Sequence, residues 1–410
     1  MEEERKMELS KQDSCNSVTD CPDFVQEINE NHVKNENETV IDHYKKERKK
    51  AAIAKALKQD DFQALKMAAV GKWGLIDDDL RRKCWPKLLG VSLYETSPKP
   101  TQEETESHPY YNQVVMDVNR SLKRFPPSIA ENQRLAMQDK LVALIMRILV
   151  KHPELHYYQG YHDICVTFLL VLGEEVSFIL LERLSVGHSG TSAVESRPGG
   201  HLRAFMDETM DNTTQILGYV YVLVRKENPQ LRKFLEDSEV GVMFGLSWLI
   251  TWFGHVLNRY DEVVRLFDLF LCSHSWMPMY LTAAIVLYRK NEILKQECDM
   301  ASVHCLLSQF PDDLPIESLV DESLRLFENY PPEELVKDDD DVKQLKCMLD
   351  MTERRKRSLG RRAYEKGPIG KVFRAYNILK TVLPDSNWTL SVVVATAVFF
   401  CAAIYQAYRN

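Results

Sequence analysis

Apolar residues recur at helical spacing over most of the chain between residues 61 and 335. One face of a predicted helix is formed by Leu141, Leu144, Ile145, Ile148 and Leu149. Pro153 is expected to end that helix, because proline cannot continue the backbone hydrogen bonds. Similar apolar stripes run through residues 205–224, 231–234, 263–270 and 319–327. Since no hairpin signal of the Asn-Gly type separates alternating segments, the pattern predicts an all-α, multi-helix fold.

Two apolar runs, residues 240–258 and 269–288, contain no Lys, Arg, Asp or Glu. Hydropathy alone would allow both to cross a membrane and would make the chain a multi-span membrane protein. Each run, however, has His, Ser and Gly or Pro near its middle, and an amphipathic helical pattern separates the two. We therefore predict buried core helices and keep the multi-span fold as the alternative.

The two ends of the chain differ from this helical centre. Residues 1–44 are acidic and polar with few aromatic side chains, which predicts a disordered tail. After the helical domain, residues 45–335, a charged linker is predicted over residues 336–384 and a transmembrane anchor over residues 385–408. Residues 386–408 contain no charged side chain, and a helix of this length can cross a hydrocarbon core of roughly 30 Å. Lysine and arginine are more frequent before this span than after it, which predicts a cytosolic domain.

One segment inside the helical domain has no apolar periodicity. Residues 185–201 combine glycine, serine and proline, and such a composition is typical of loops. We predict a surface loop inserted between helices.

Charge and cysteine content narrow the choice of function. Twelve acidic and four basic residues lie between Met1 and Asp42, and this excess equals the net charge of −8 of the whole chain. Because acidic and basic residues are equal in number over the rest of the chain, its charge does not favour a nucleic-acid partner. The nine cysteines form no C-x-x-C pair of the kind that a zinc or redox site needs. A reducing compartment is indicated.

Several histidines lie near one another without a metal-binding frame. His152, His156 and His162 are four and six residues apart, with no E-x-x-H pattern or cysteine pair beside them, so no metal site is predicted. Cys165 follows His162 within an apolar run, where cysteine is usually a small core side chain rather than a nucleophile.

Two short segments contain residues that suit catalysis. In the first, Val114, Asp117 and Arg120 are three residues apart, so they share one face of a helix on which the Asp117 carboxylate can orient the Arg120 guanidinium. Two prolines at 126 and 127 then end the helix, which leaves Arg120 beside a loop. The second segment, residues 154–163, reads ELHYYQGYHD and places Gln159 among tyrosines.

An arginine and a glutamine together suggest GTP hydrolysis. A donated arginine neutralises the charge that develops on the γ-phosphate, and a glutamine amide holds the attacking water in line. The residues also have ordinary interpretations, since Arg120 is one of several neighbouring cations and Tyr157 could be a half-buried ring in helix packing.

Both segments resemble motifs of the TBC domain, a helical fold that activates Rab-family small GTPases. The arginine motif of that family, I-x-x-D-x-x-R, is matched by Val114, Asp117 and Arg120, with valine in place of isoleucine. The glutamine motif, Y-x-Q-G, is matched by Tyr157, Gln159 and Gly160. The R-x-x-x-W signature is matched by Arg81 and Trp85. A later W-x-x-x-x-F…R-x-x-D-x-x-L region is matched by Trp248 or Trp252, Phe253, Arg265 and Asp268.

The resemblance covers roughly residues 72–335 and implies a function. It implies a GTPase-activating protein for a Rab-family GTPase, with Arg120 as an arginine finger and Gln159 as a glutamine finger. Asp117 would support the arginine, and Tyr157 and Gly160 would shape a turn that points Gln159 outward. Trp85 is expected in the core, with Arg81 as its polar partner.

The same resemblance implies what the protein needs and where it acts. It would not be an enzyme with its own small-molecule substrate, and it would need no cofactor or metal of its own because the Rab binds GTP and Mg²⁺. The closest likeness is to membrane-anchored members of the family, which implies the endoplasmic reticulum or Golgi membrane and the early secretory pathway. A TBC scaffold that binds a Rab or another membrane partner without accelerating hydrolysis is the alternative.

Overall fold

The all-α fold predicted from the apolar spacing is confirmed. The computed structural model describes residues 22–93, 97–120, 131–187 and 199–337. Within these ranges the chain forms seventeen α-helices and two short 3-10 helices, and no β-strand. The α-helices are α1 (Pro22–Gln59), α2 (Phe62–Val70), α3 (Asp78–Leu89), α4 (Gln102–Glu106), α5 (Tyr111–Arg120), α6 (Glu131–Lys151), α7 (Tyr161–Leu172), α8 (Glu174–Val186), α9 (Asp211–Glu227), α10 (Pro229–Asp237), α11 (Leu246–Ile250), α12 (Tyr260–Cys272), α13 (Met277–Tyr288), α14 (Lys290–Ile293), α15 (Met300–Ser308), α16 (Ile316–Asn329) and α17 (Pro332–Lys337). The 3-10 helices cover Arg203–Phe205 and Met243–Gly245.

Helix α6 matches the clearest sequence prediction. Its predicted apolar face is fully buried, comprising Leu141, Leu144, Ile145, Ile148 and Leu149. The helix ends at Lys151, two residues before Pro153. Helix α6 packs against α4, α5, α7 and α8, so it lies behind both segments that were singled out for catalysis.

The other apolar stripes also lie in helices, with one change of boundary. Residues 231–234, 263–270 and 319–327 fall within α10, α12 and α16. The stripe over residues 205–224 begins earlier than its helix, because Phe205 lies in a 3-10 helix and α9 starts at Asp211. The polar residues 207–209 interrupt the apolar period between them. In the second half of the domain, α13 packs between α9 and α16.

Most side chains of the two long apolar runs are buried, as predicted, but neither run forms one continuous helix. Residues 240–258 are divided into a 3-10 helix, the short α11 and a turn in which Trp252 and Phe253 have φ angles of 49° and 64°. Residues 269–288 are divided between the end of α12 and the whole of α13, with a short turn over residues 273–276 between them. No helix in the described ranges is both long and apolar enough to cross a membrane.

The N-terminal prediction needs correction. Helix α1 begins at Pro22, inside residues 1–44, which the composition predicts as a disordered tail. No glycine or proline follows Pro22 before the helix ends, so the backbone has no strong helix breaker there. The C-terminal part of α1 also packs on α2 and α3, where Lys49 Nζ donates to the carbonyl oxygen of Gly71 at 3.2 Å. Residues 1–21 lie outside the described residues.

The remaining predicted segments are described only in part. Of the predicted loop over residues 185–201, Ser185 and Val186 form the end of α8, and His201 is buried. Residues 188–198 lie outside the described ranges. Helix α17 carries the domain to Lys337, two residues past the predicted end. The predicted linker beyond that point and the predicted transmembrane anchor lie outside the described residues.

A buried carboxylate connects α12 with α3 and with the segment before it. Asp268 is fully buried. Its oxygens accept hydrogen bonds from Arg81 Nη2 at 3.0 Å, Trp85 Nε1 at 2.8 Å and the backbone N–H of Leu75 at 2.9 Å. A charge taken out of water requires such partners. Arg81 and Trp85 are therefore parts of the fold, with Trp85 in the core as predicted.

Candidate functional site

Helix α5 presents Arg120 at its C-terminal end. Val114 and Asp117 are buried on the inner face of the helix. The Arg120 side chain is 71% exposed, and its Nη1 lies 4.0 Å from Asp117 Oδ1. The predicted helix face is thus confirmed. The buried side chains of Val114 and Asp117 hold the helix against the core, and the Arg120 guanidinium extends from it into solvent. The two prolines that were predicted to end the helix lie outside the described residues.

The turn between α6 and α7 presents Gln159. Tyr157, Tyr158 and Tyr161 are buried, whereas Gln159 is exposed. Gly160 has a φ angle of 121°, a conformation that residues with a Cβ rarely adopt. A Cβ at this position would lie 3.0 Å from Thr251 Cγ2. The glycine therefore permits both the turn and its close approach to the segment after α11.

Tyrosine hydroxyls fix this turn to the surrounding helices. Tyr158 donates to the carbonyl oxygen of Ile250 at 3.0 Å, and the Tyr161 hydroxyl lies 2.8 Å from Ser185 Oγ. Both tyrosines are therefore buried packing rings whose hydroxyls have partners. With its neighbours held on either side, Gln159 is directed outward.

Tyr157 joins the turn to the arginine helix. Its hydroxyl donates to Asp117 Oδ2 at 3.1 Å and lies 3.3 Å from His162 Nδ1. Burial and the neighbouring Asp117 carboxylate raise the pKa of Tyr157, so the hydroxyl keeps its proton and can donate it. Residues that are 40 positions apart in the chain thereby form one framework under Arg120 and Gln159.

Arg120 and Gln159 line the same cavity. The cavity has a volume of about 750 Å³. Asp117, Tyr157 and Gly160 also line it, so these predicted residues are brought together. Arg81 lies elsewhere, beside a second cavity of about 430 Å³, which agrees with its role in the fold.

The cavity also contains residues that the sequence did not single out. Asp207 and Glu208 precede α9, and Asp163 and His255 complete the wall near Gln159. Asp163 is almost fully buried, and its Oδ2 lies 3.2 Å from His255 Nδ1. These two residues are 92 positions apart. No local spacing pattern could have paired them, although Asp163 is close to the glutamine motif in the chain.

The cysteine and histidines near the turn have structural partners. Cys165 is fully buried, which confirms its predicted core position, and this burial raises the pKa of its thiol well above the ordinary value. His152 Nε2 contacts Glu182 at 2.6 Å, and His156 Nδ1 contacts the Tyr110 hydroxyl at 2.7 Å. The histidines that cluster in the sequence thus face different partners in the fold.

Comparison with known proteins gives matches over most of the described chain. A family model described as the Rab-GTPase-TBC domain matches residues 78–294, which include Arg120 and Gln159. The human protein TBC1 domain family member 20 is 48% identical over 296 residues, which cover 72% of this chain and 70% of that protein. GTPase-activating protein gyp10 of Schizosaccharomyces pombe is 28% identical over 305 residues, covering 73% of this chain and 77% of that protein.

A solved structure supports the fold at low sequence identity. The crystal structure of the Ypt/Rab-GAP domain of Gyp1p superposes with a TM-score of 0.50 at 14% identity. The match covers 66% of this chain and 94% of that one.

Proposed function

The chain belongs to the Rab-GTPase-TBC domain family and is a GTPase-activating protein for a Rab-family GTPase, and we propose that Arg120 and Gln159 are the residues through which it accelerates GTP hydrolysis. The observation that carries this proposal is their common location. Both side chains are exposed, line one cavity and stand on elements that the Tyr157–Asp117 hydrogen bond joins. A bound nucleotide on a partner that docks over the cavity can meet both.

Arg120 supplies positive charge to the transition state. Negative charge develops on the γ-phosphate as it is transferred to water, and a planar guanidinium can donate two hydrogen bonds to the phosphate oxygens. Asp117 lies on the side of the guanidinium nearer the core, so it restrains the arginine without covering it. Such an arginine accelerates hydrolysis by about 10³- to 10⁵-fold.

Gln159 orients the attacking water. Its amide oxygen accepts a hydrogen bond from that water, and its amide nitrogen donates to a neighbouring oxygen. The Gly160 turn and the buried tyrosines fix the backbone on either side, so little freedom is lost when the side chain meets the nucleotide. Gln159 thereby takes over the task of the glutamine of the GTPase itself.

GTP and Mg²⁺ belong to the GTPase in this mechanism. The protein provides catalytic groups in trans and has no small-molecule substrate or cofactor of its own. The reaction product, GDP, stays on the partner.

We also propose that the protein is anchored to a membrane of the early secretory pathway. Support comes from residues 386–408, which contain no charged side chain, and from the basic residues that precede them. Truncation at Pro384 is expected to move the protein from the membrane fraction to the soluble fraction. A truncated chain that remains with membranes would contradict this anchor.

The catalytic proposal is tested by single-turnover GTP hydrolysis with a panel of GTP-loaded Rab proteins. Arg120→Ala and Arg120→Lys should both lose most of the stimulated rate, because lysine lacks the planar guanidinium. Arg259→Ala is the matched control, since the Arg259 side chain is 62% exposed and pairs with Asp261 outside the cavity. Gln159→Ala should lose activity but still bind a GTP-loaded Rab.

The same assay distinguishes the alternative, a scaffold that binds a Rab without accelerating hydrolysis. A scaffold would bind but leave the hydrolysis rate unchanged with every Rab tested. Equal stimulation by the wild type and Arg120→Ala would remove the arginine finger.

A further inference from the structure

We propose that His255 is a third partner-contacting residue of this site, oriented by Asp163, and that it accepts a hydrogen bond from a donor on the GTPase beside the bound nucleotide. The inference rests on the proposed function, because it needs the GTPase to dock over the cavity that contains Arg120 and Gln159. It assigns a role in recognition to a residue that belongs to neither catalytic motif.

His255 is both exposed and held. It lies in the turn between α11 and α12, and its side chain is 58% exposed at the cavity wall. Its backbone N–H donates to Thr251 Oγ1 at 3.2 Å. Its ring nitrogen Nδ1 lies 3.2 Å from Asp163 Oδ2, while the Asp163 side chain is only 3% exposed. An exposed histidine without such a partner would sample several rotamers.

The carboxylate also determines which ring nitrogen bears the proton. An ionised carboxylate can only accept hydrogen bonds, so the Nδ1 atom of His255 must donate to Asp163. In a neutral imidazole the other nitrogen, Nε2, is then an acceptor. Nε2 makes no hydrogen bond to the described part of the chain, and the ring borders the cavity. The acceptor is available to a partner.

The rest of the cavity wall favours the same kind of partner group. Asp207 and Glu208 line the cavity together with His255. The Asp207 oxygens accept from Arg203 Nη1 and Asn212 Nδ2, and Glu208 adds a second carboxylate, so this wall is acidic. A backbone N–H, a hydroxyl or a cationic side chain on the GTPase is complementary to it. A carboxylate on the GTPase would be repelled.

Asp163 connects His255 to the framework under the two catalytic residues. His162 Nε2 lies 3.6 Å from Asp163 Oδ2, and His162 Nδ1 lies 3.3 Å from the Tyr157 hydroxyl, which donates to Asp117. Contacts of 3.1 to 4.0 Å thus lead from Arg120 through Asp117, Tyr157, His162 and Asp163 to His255. Docking at His255 therefore places the partner in register with both catalytic side chains.

The test is a comparison of KM and kcat for stimulated hydrolysis with a GTP-loaded Rab. His255→Ala should raise KM about fivefold to tenfold, the amount expected for one lost hydrogen bond of about 1 kcal/mol or slightly more. The value of kcat should change less than twofold, because His255 does not touch the reacting atoms. His304→Ala is the matched control, since His304 is exposed and contacts only Ser308 on its own helix in the described structure.

Two conservative variants separate contact with the partner from contact with Asp163. The amide of His255→Gln reaches about as far as Nε2 and should recover part of the lost affinity. The shorter amide of His255→Asn reaches about as far as Nδ1 and should not. A purely structural role would give the opposite order, because only asparagine can keep the bond to Asp163.

A double-mutant cycle tests the positioning role of Asp163. Asp163→Asn should raise KM in the wild-type background but add little to His255→Ala. An unchanged KM in His255→Ala, with Arg120→Ala still inactive, would overturn the inference and leave the proposed function intact. Absence of stimulation by the wild type would instead contradict the proposed function.

Discussion

Replacement of Asp268 by alanine should be among the most destabilising single changes in the domain. The carboxylate is fully buried and accepts hydrogen bonds from Arg81, Trp85 and the backbone N–H of Leu75. Removing it leaves the Arg81 guanidinium buried at 4% exposure, with Asp78 as its remaining carboxylate partner among the described residues. It also leaves two neutral N–H groups without their acceptor.

The magnitude follows from these lost contacts. Breaking a buried ion pair by removing one partner costs about 3 to 5 kcal/mol. Each neutral donor that loses its acceptor adds about 1 kcal/mol, although the contributions of one network do not sum. We therefore expect a loss of about 4 kcal/mol in the free energy of unfolding. Domains of this kind have about 5 to 15 kcal/mol in total, so a large part of the stability would be lost.

Urea unfolding followed by circular dichroism measures the change. The midpoint should fall strongly for Asp268→Ala, whereas the control Asp261→Asn should change by less than about 1 kcal/mol because the Asp261 side chain is 68% exposed. The double variant Arg81→Met with Asp268→Leu should recover part of the loss, since it removes both charges together. A loss below about 1 kcal/mol for Asp268→Ala would refute the reasoning.

Two further predictions concern the glutamine turn and a buried histidine. Gly160→Ala should reduce stimulated hydrolysis at least about tenfold, because the φ angle of 121° and the 3.0 Å approach to Thr251 oppose a Cβ. Gly173→Ala, at the other end of α7, is the control because its φ angle of 74° is also positive but no atom lies within 4 Å of the added Cβ, and equal rates for the two variants would contradict the role of Gly160. Burial lowers the pKa of His201 from 6.5 to about 4, so the unfolded chain binds its proton first as the pH falls. Stability should therefore drop by about 2 kcal/mol between pH 7 and pH 5 through this residue, and an unchanged pH dependence of urea unfolding in His201→Gln would count against it.

The features that could be predicted from the sequence are those encoded by neighbouring residues. The apolar face of α6 follows from a period of 3.6 residues, and its end follows from Pro153. The position of Arg120 above Asp117 follows from a spacing of three on one helix. The turn at Gln159 was implied by the resemblance of Tyr157, Gln159 and Gly160 to the glutamine motif, and these residues are also close together in the chain.

The features that could not be predicted depend on contacts between distant segments. The hydrogen bond from Tyr157 to Asp117 spans 40 residues, and the contact of Asp163 with His255 spans 92. Backbone conformation could not be predicted from the sequence either. The positive φ angle at Trp252 lies in a turn that divides the apolar run over residues 240–258, which hydropathy treats as continuous. Composition likewise did not reveal that α1 begins at Pro22, because low hydrophobicity does not exclude a helix that rests partly on its neighbours.

The most direct test of the central claim, that this chain supplies both catalytic groups, uses a Rab whose own water-orienting glutamine is replaced by alanine. Single-turnover hydrolysis of GTP bound to this Rab is measured with the wild-type protein and with Gln159→Ala. We predict that the wild type still stimulates hydrolysis strongly and that Gln159→Ala does not. The opposite result is that the wild-type protein fails to stimulate the altered Rab, while Gln159→Ala still stimulates the unaltered Rab. That result would show that the water is held by the GTPase and would contradict the claim.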